Sequence, residues 1–135
     1  MATKGQELHG PGVTLRIVDL EPDRLVMDAA YDGSGEMPPA HYHPSQTETF
    51  TILGGRMRTI VGGAERTYGA GETFDVPAGI VHQMAAEGGP ARMRWEIRPA
   101  MRSADFFETL YSGRAGESFL DDFKDEFRLS PPPAS

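Results

Sequence analysis

Apolar and polar residues alternate in short runs between about residues 13 and 98, and glycines and prolines separate the runs. In the clearest run, Met93, Trp95 and Ile97 share one face while arginine and glutamate side chains occupy the other. A second run, residues 49–52, places Phe50 and Ile52 on one face. A period of two residues is that of a β-strand, so each run predicts a strand with one buried and one solvated face.

A hairpin is predicted at Gly62-Gly63, which separates two strand-like runs, residues 56–61 and 64–68. A two-residue loop of this kind needs positive φ angles, which glycine adopts without penalty. Residues 13–18 and 25–31 predict further strands, and no helical pattern interrupts the runs. Many short strands at regular spacing favour an all-β sandwich or jelly-roll barrel over a parallel α/β sheet.

The chain changes character after residue 100. Ser103 is a suitable N-cap for a helix that runs to about Tyr111. Phe119, Phe123 and Phe127 follow at intervals of four residues, which places them on one stripe of a second helix. We expect one or two short C-terminal helices that lie against the barrel or across its mouth.

The chain has 135 residues, enough for one hydrophobic core and too few for two ordinary domains. We therefore predict a single domain with three parts. The barrel occupies about residues 10–100, a helical segment about residues 101–129, and a flexible tail with three consecutive prolines residues 130–135.

The charge balance and the absence of cysteine narrow the functional classes. The net charge is −7 and the arginines are scattered, so we expect no nucleic-acid partner. No run approaches the roughly 18 apolar residues of a membrane span, and no apolar leader is present, so we expect a cytoplasmic protein with no membrane partner. Because cysteine is absent, any metal ion must be held by imidazole and carboxylate groups.

The residues that could carry chemistry cluster in two places. His41 and His43 stand two residues apart, so an extended segment would point both imidazoles to the same face. Glu48 shares the parity of Phe50, which predicts a buried carboxylate that needs a partner. His82 follows a Pro-Ala-Gly turn and could join the pair. Taken singly, these residues are more typical of a surface histidine pair, a solvated glutamate and a hydrogen-bonded histidine near a turn than of a metal site.

Glycines and a proline surround these residues at spacings that resemble the two motifs of the cupin superfamily. The first motif reads Gly35, five residues, His41-Tyr42-His43, four residues, Glu48, six residues and Gly55. Fifteen residues separate it from the second, which reads Gly71, five residues, Pro77-Ala78-Gly79, two residues and His82. The last position of the second motif, usually Asn, is Ala86 here, a departure that removes no metal ligand.

The resemblance implies a cupin jelly-roll barrel, also called a double-stranded β-helix. It also implies that one divalent transition metal ion per chain is bound by the residues that match the family's ligands, His41, His43, Glu48 and His82. Iron, nickel, zinc, manganese and copper all suit such a set. Small cupins commonly pair, so the resemblance implies a homodimer as well.

The cupin superfamily includes oxygenases, isomerases, polyketide cyclases and binding modules. The resemblance therefore leaves two functions of different classes. The first, which we favour, is a metal-dependent enzyme acting on a small organic, apolar or aromatic substrate inside the barrel. The second is a non-catalytic module that binds or senses a small molecule or a metal. The inward-facing candidates for the substrate pocket are Met37, Phe50, Met57, Phe74, Met84, Met93 and Trp95, and for most of them we expect core packing instead. Glu36 and Asp75 lie near the motifs, but alternation points Asp75 to solvent, so no general acid or base is assigned.

Overall fold

The computed structural model describes residues 1–34 and 36–130 and contains two antiparallel β-sheets and two short helices. The strands, in chain order, are β1 (Glu7–Gly10), β2 (Val13–Glu21), β3 (Arg24–Tyr31), β4 (His41–Tyr42), β5 (Thr47–Gly54), β6 (Arg56–Val61), β7 (Ala64–Gly69), β8 (Thr73–Val76), β9 (His82–Ala86), β10 (Ala91–Arg98) and β11 (Arg128–Leu129). The helices are α1 (Ser103–Tyr111) and α2 (Phe119–Asp122). The predicted all-β jelly-roll class is confirmed.

The sheets place their apolar faces against one another. One has six strands in the order β1-β2-β3-β10-β5-β8, and the other has five in the order β11-β4-β9-β6-β7. Met27, Phe50 and Met93 of the six-stranded sheet and Met57 and Met84 of the five-stranded sheet belong to one buried cluster. The core therefore lies between the two sheets, as the alternation of apolar and polar residues requires.

The predicted hairpin is present between β6 and β7, where Val61 pairs with Ala64 across the two-residue loop. Gly62 and Gly63 have φ angles of 57° and 83°, the left-handed conformation that residues with a Cβ rarely adopt. The local sequence chemistry alone thus fixes this turn and the register of its strands.

The C-terminal segment (residues 103–130) contains both predicted helices, although its details differ from expectation. Ser103 is the first helical residue of α1 rather than its cap, and its buried hydroxyl accepts a hydrogen bond from Gln46 Nε2 at 2.8 Å. The second helix is a single turn, yet Phe119 and Phe123 are buried as the stripe predicted. No helix in the described ranges is long and apolar enough to cross a membrane.

The boundaries of the barrel and of the tail also differ from those predicted. Strands begin at Glu7, earlier than predicted, and β11 returns from the C-terminal segment to pair with β4. Ser130, assigned to the tail from sequence, donates its backbone N–H to Ala40 at 2.9 Å. The rest of the predicted tail, residues 131–135, and Gly35 of the first motif lie outside the described residues.

Candidate metal centre

Two short strands of the five-stranded sheet bring the histidines together. His41 on β4 and His82 on β9 are direct partners across the ladder. His43 follows β4, and its carbonyl accepts a hydrogen bond from the backbone N–H of Gly79 at 2.9 Å. This bond ties the turn before β9 to the end of β4. Within the described residues, His41, His43 and His82 form a group whose potential ligand atoms all lie within 4.8 Å of one another.

Backbone carbonyls orient all three imidazoles. The Nδ1 atoms of His41, His43 and His82 lie 3.1, 2.7 and 3.0 Å from the carbonyls of Pro39, Glu126 and Ile80, respectively. A carbonyl oxygen can only accept, so each Nδ1 carries the proton and donates it. The Nε2 atom of each neutral ring is therefore left as a lone pair, which is the form that binds a metal ion.

Glu48 reaches the histidines from the opposite sheet. It lies on β5, is fully buried, and places Oε1 3.0 Å from His43 Nε2 and 2.9 Å from His82 Nε2. Its other oxygen, Oε2, accepts a hydrogen bond from Trp95 Nε1 at 2.7 Å. Because Trp95 occupies Oε2, the carboxylate presents Oε1 alone to the histidines.

Two buried atoms without a hydrogen-bond partner indicate whether this site suits a metal ion. Among the described residues, His43 Nε2 and Glu48 Oε1 are buried and lack an aligned hydrogen-bond partner, although they lie 3.0 Å apart. Two lone-pair atoms at this distance need a positive centre close to both, which a shared proton or a metal ion can supply. Three imidazoles and a carboxylate are donors that divalent transition metals accept. The residues present therefore fit a metal ion.

Burial and mutual contact set the protonation of the metal-free cluster. Burial, assisted by the neighbouring His82, lowers the pKa of His41 to about 4. Burial also disfavours charge on His43, but the Glu48 carboxylate outweighs it and raises the pKa of His43 above its ordinary value. Burial likewise opposes ionisation of Glu48, yet its contacts with the Nε2 atoms of His43 and His82, which donate to it when these rings are protonated, prevail and lower the pKa of Glu48 to about 2. The carboxylate thus stays charged at neutral pH.

A cavity of about 390 Å³ opens onto the histidines. All three imidazoles lie in its wall, and most of the remaining wall is aromatic or aliphatic. The C-terminal segment supplies Phe106, Phe107, Tyr111 and Phe127 to it. The ring of Phe127 also stacks on His41, with centroids 4.7 Å apart. One side of the cavity is therefore built by the segment that follows the barrel.

Only some of the side chains that alternation predicted to face inward line the cavity. Phe50, Met84 and Trp95 line the cavity. The other four do not line the cavity: Met57, Phe74 and Met93 are buried in the core, and Met37 is half-buried. Alternation identifies the inward face correctly, but it does not separate residues that fill the core from those that border a cavity.

Several residues of the cavity wall were not predicted from the sequence. Tyr31 shares the inward parity of Met27 on β3, so alternation could have identified it. Phe107 and Tyr111 stand four residues apart on α1, and only the packing of that helix brings them to the cavity. No pattern in the barrel sequence indicates this contribution.

Titratable groups other than the histidines also border the cavity. Burial raises the pKa of Tyr31 and of Tyr111 above the ordinary value, so both phenols stay protonated at neutral pH. Glu36 lies at the wall with its side chain exposed. Asp75 is exposed and accepts a hydrogen bond from Thr49 at 2.7 Å, in agreement with the outward direction predicted for it.

Comparison with known families supports the resemblance stated from the motifs. The family model described as Cupin domain (Cupin_2) matches residues 30–96, a span that contains both motifs. No curated protein sequence matches the chain.

Solved structures share the fold at low sequence identity. KdgF from Halomonas sp. superposes with a TM-score of 0.67 at 19% identity, over 73% of this chain and 89% of its own. An RmlC-like cupin from Shewanella frigidimarina gives 0.66 at 17% identity, over 73% and 87%. Streptomyces Pac13, a nucleoside dehydratase, gives 0.61 at 16% identity, over 78% and 86%. The family match identifies residues 30–96 of this chain as a cupin domain, and the solved structures show that the chain has the fold of that superfamily.

Proposed function

We propose that this protein is a metal-dependent enzyme that acts on a small organic, apolar or aromatic substrate inside the barrel. The observation that carries the proposal is the arrangement of His41, His43 and His82. Their Nδ1 atoms are all occupied by backbone carbonyls, and their rings lie in the wall of an apolar cavity. Three imidazoles prepared in this way bind a metal ion more readily than they serve packing alone.

The four candidate ligands have distinct roles in the proposal. His41, His43 and His82 would hold the ion through Nε2, and Glu48 would hold it through Oε1 while Trp95 restrains Oε2. A divalent metal ion bound there supplies a Lewis acid and, if it is iron or another redox-active metal, a route to dioxygen chemistry. Four protein ligands on a metal that accepts six leave room for substrate.

The cavity indicates the substrate class. A volume of about 390 Å³ falls within the usual range for small-molecule sites, roughly 300–1,000 Å³. Trp95 packs against Phe50 and Phe107, with ring centroids 5.4 and 5.0 Å apart, which gives the wall flat apolar faces suited to a planar or aliphatic ring. The protonated phenols of Tyr31 and Tyr111 can donate hydrogen bonds to substrate oxygen. These groups would orient a mainly apolar molecule that carries an oxygen substituent.

The fold does not select the reaction, since one barrel hosts unrelated chemistries. An oxygenase and a redox-neutral isomerase or cyclase both use such a site. KdgF and the nucleoside dehydratase Pac13 share the barrel at below 20% identity, so they support the fold but identify no substrate for this chain.

Oxygen uptake during turnover separates the candidate reactions. Phenolic and enolisable compounds would be incubated with iron-loaded and zinc-loaded protein, in air and under nitrogen. Uptake with iron and none with zinc would indicate an oxygenase, whereas equal conversion with both metals under nitrogen would indicate an isomerase or cyclase. If these compounds bind saturably but are not converted with any metal, the enzyme hypothesis would be abandoned in favour of a non-catalytic binding module.

A further inference from the structure

Glu126 is a buried carboxylate outside the histidine cluster. It lies between α2 and β11 with 2% of its surface exposed. Its Oε1 lies 3.2 Å from Arg102 Nη2, and its Oε2 accepts the backbone N–H of Arg102 at 3.4 Å. Burying a carboxylate costs free energy that an apolar side chain of similar size would not, so this pair needs a reason beyond packing.

The backbone of Glu126 touches the metal centre. Its carbonyl accepts the Nδ1 proton of His43 at 2.7 Å, the shortest of the three imidazole–carbonyl distances. His41 and His82 use carbonyls two residues earlier in the chain, just before their own strands, whereas His43 uses one that lies 83 residues away. The orientation of His43 alone among the three therefore depends on how the C-terminal segment docks.

Arg102 fixes that docking from the start of α1. Besides Glu126, its guanidinium donates to the carbonyl of Asp122 and lies 4.8 Å from the centroid of the Phe123 ring. It thus contacts the C-terminal segment at three points, all within five residues of Glu126. A charged pair of this kind specifies one position, whereas apolar contacts tolerate sliding.

We propose that Arg102 and Glu126 are positioning residues for the metal centre, because they hold the Glu126 carbonyl where it directs His43 Nε2 toward the other ligands. The inference rests on the proposed metal site. Binding free energies are reciprocal, so a metal ion on His43 also strengthens the docking of the C-terminal segment.

Cobalt binding tests the proposal in three single variants. Arg102→Gln and Glu126→Gln remove the charged pair, and Arg114→Gln removes a matched pair, Arg114 with Glu108 at 3.3 Å, from the same segment away from the histidines. Co²⁺ is titrated into each folded protein and followed by visible absorption and by fluorescence of Trp95, the single tryptophan. Loss of a partner that orients a ligand raises the Kd for a metal about tenfold or more, which we expect for Arg102→Gln and Glu126→Gln. For Arg114→Gln we expect a change within about twofold.

A second measurement needs no metal. Nitrogen-15 spectra of the histidine rings, recorded well above their pKa values, report which ring nitrogen carries the proton. In the unsubstituted protein His43 should be protonated on Nδ1, and in Arg102→Gln and Glu126→Gln it should become a mixture of tautomers. His41 and His82 are internal references because their carbonyl partners are local.

The outcomes are distinguishable. If the unsubstituted protein binds no Co²⁺, the proposed function fails, and the tautomer of His43 alone then decides the positioning role. If Arg102→Gln and Glu126→Gln fold, keep the Nδ1 tautomer and bind Co²⁺ like the Arg114→Gln control, the positioning proposal is overturned. A purely structural role would lower the melting temperature of the metal-free variants while leaving the tautomer and the Co²⁺ Kd unchanged.

Discussion

The barrel and the C-terminal segment serve the histidine cluster in different ways. The barrel carries every candidate ligand, and His41 and His82, on β4 and β9, are oriented by carbonyls two residues earlier in the chain. Within the described residues, the C-terminal segment adds no ligand to the cluster, but it supplies the carbonyl that orients His43 and the Phe127 ring that stacks on His41.

The difference shows that two regions of the chain determine different properties of one site. The chemical identity of the ligands is set by local sequence in the barrel, whereas the orientation of one ligand and the closure of the cavity are set by a segment distant in sequence. The following experiments separate these two contributions, beginning with the largest expected effect.

Truncation after Ala100 should abolish the soluble, stable fold. It removes the buried phenylalanines of the C-terminal segment, Phe106, Phe107, Phe119 and Phe123. Each contributes about 1.5–3 kcal/mol through burial, so together they approach the roughly 5–15 kcal/mol of a whole domain. Size-exclusion chromatography and thermal unfolding provide the measurement, with a chain ending at Ser130 as the control. A monodisperse, cooperatively folded barrel without the segment would show that the barrel is independent of it.

Replacing His82 with Ala should weaken metal binding by about a hundredfold or more while leaving the segment docked, because it removes a ligand whose ring is buried among the others. Elemental analysis after purification without chelator, followed by titration with nickel or zinc, measures the loss. His9→Ala is the matched control, since His9 is exposed and lies outside the cluster. Equal metal content in the two variants would contradict the ligand assignment.

Replacing Trp95 with Phe should raise the metal Kd by about tenfold, because Glu48 Oε2 loses its indole donor while the wall keeps an aromatic ring. This change tests a positioning contact within the barrel, for comparison with the one made by the C-terminal segment. Isothermal titration calorimetry is the measurement, because the variant has no tryptophan to report by fluorescence. An unchanged Kd in the folded variant would mean that Oε2 needs no restraint.

Metal affinity should fall as the pH is lowered. Because the pKa of His43 is raised above 6.5, this ring is mostly protonated at pH 6.5 and must lose a proton when metal binds there, whereas His41, with a pKa of about 4, is already neutral. Affinity should therefore drop about tenfold per pH unit below the pKa of His43, and faster once His41 is also protonated. Calorimetry at pH 6.5 in buffers of different ionisation enthalpy measures the released proton, and release of none at this pH would contradict the assignment.

The metal-free protein provides the control for this pH series. His41 has a lowered pKa, so its contribution to folding stability is present above 6.5 and is lost as the pH falls through about 4. The contribution of Glu48 is present above 4.5 and is lost toward about 2, whereas His43, with a raised pKa, contributes below 6.5 and loses its effect as the pH rises. The free energy of unfolding should thus begin to fall below pH 6.5, through His41, and should continue to fall from pH 4.5 toward about 2, through Glu48.

The sequence by itself determined the elements whose physics is local. Alternation with a period of two placed Met93, Phe50 and Glu48 on the inward face, because a strand turns successive side chains to opposite sides. Two adjacent glycines determined the β6–β7 hairpin, because few other residues adopt positive φ. The motif spacing likewise identified the three histidines that meet.

The tertiary structure alone decided what depends on distant packing. Phe50 and Met57 both face inward, yet only Phe50 borders the cavity, because that distinction depends on how closely the two sheets and α1 approach. The bond from His43 to the Glu126 carbonyl joins residues 83 positions apart, and no periodicity in the sequence relates them. Local patterns fix the direction of a side chain, whereas its partner is fixed by the packing of elements that become neighbours only when the chain folds.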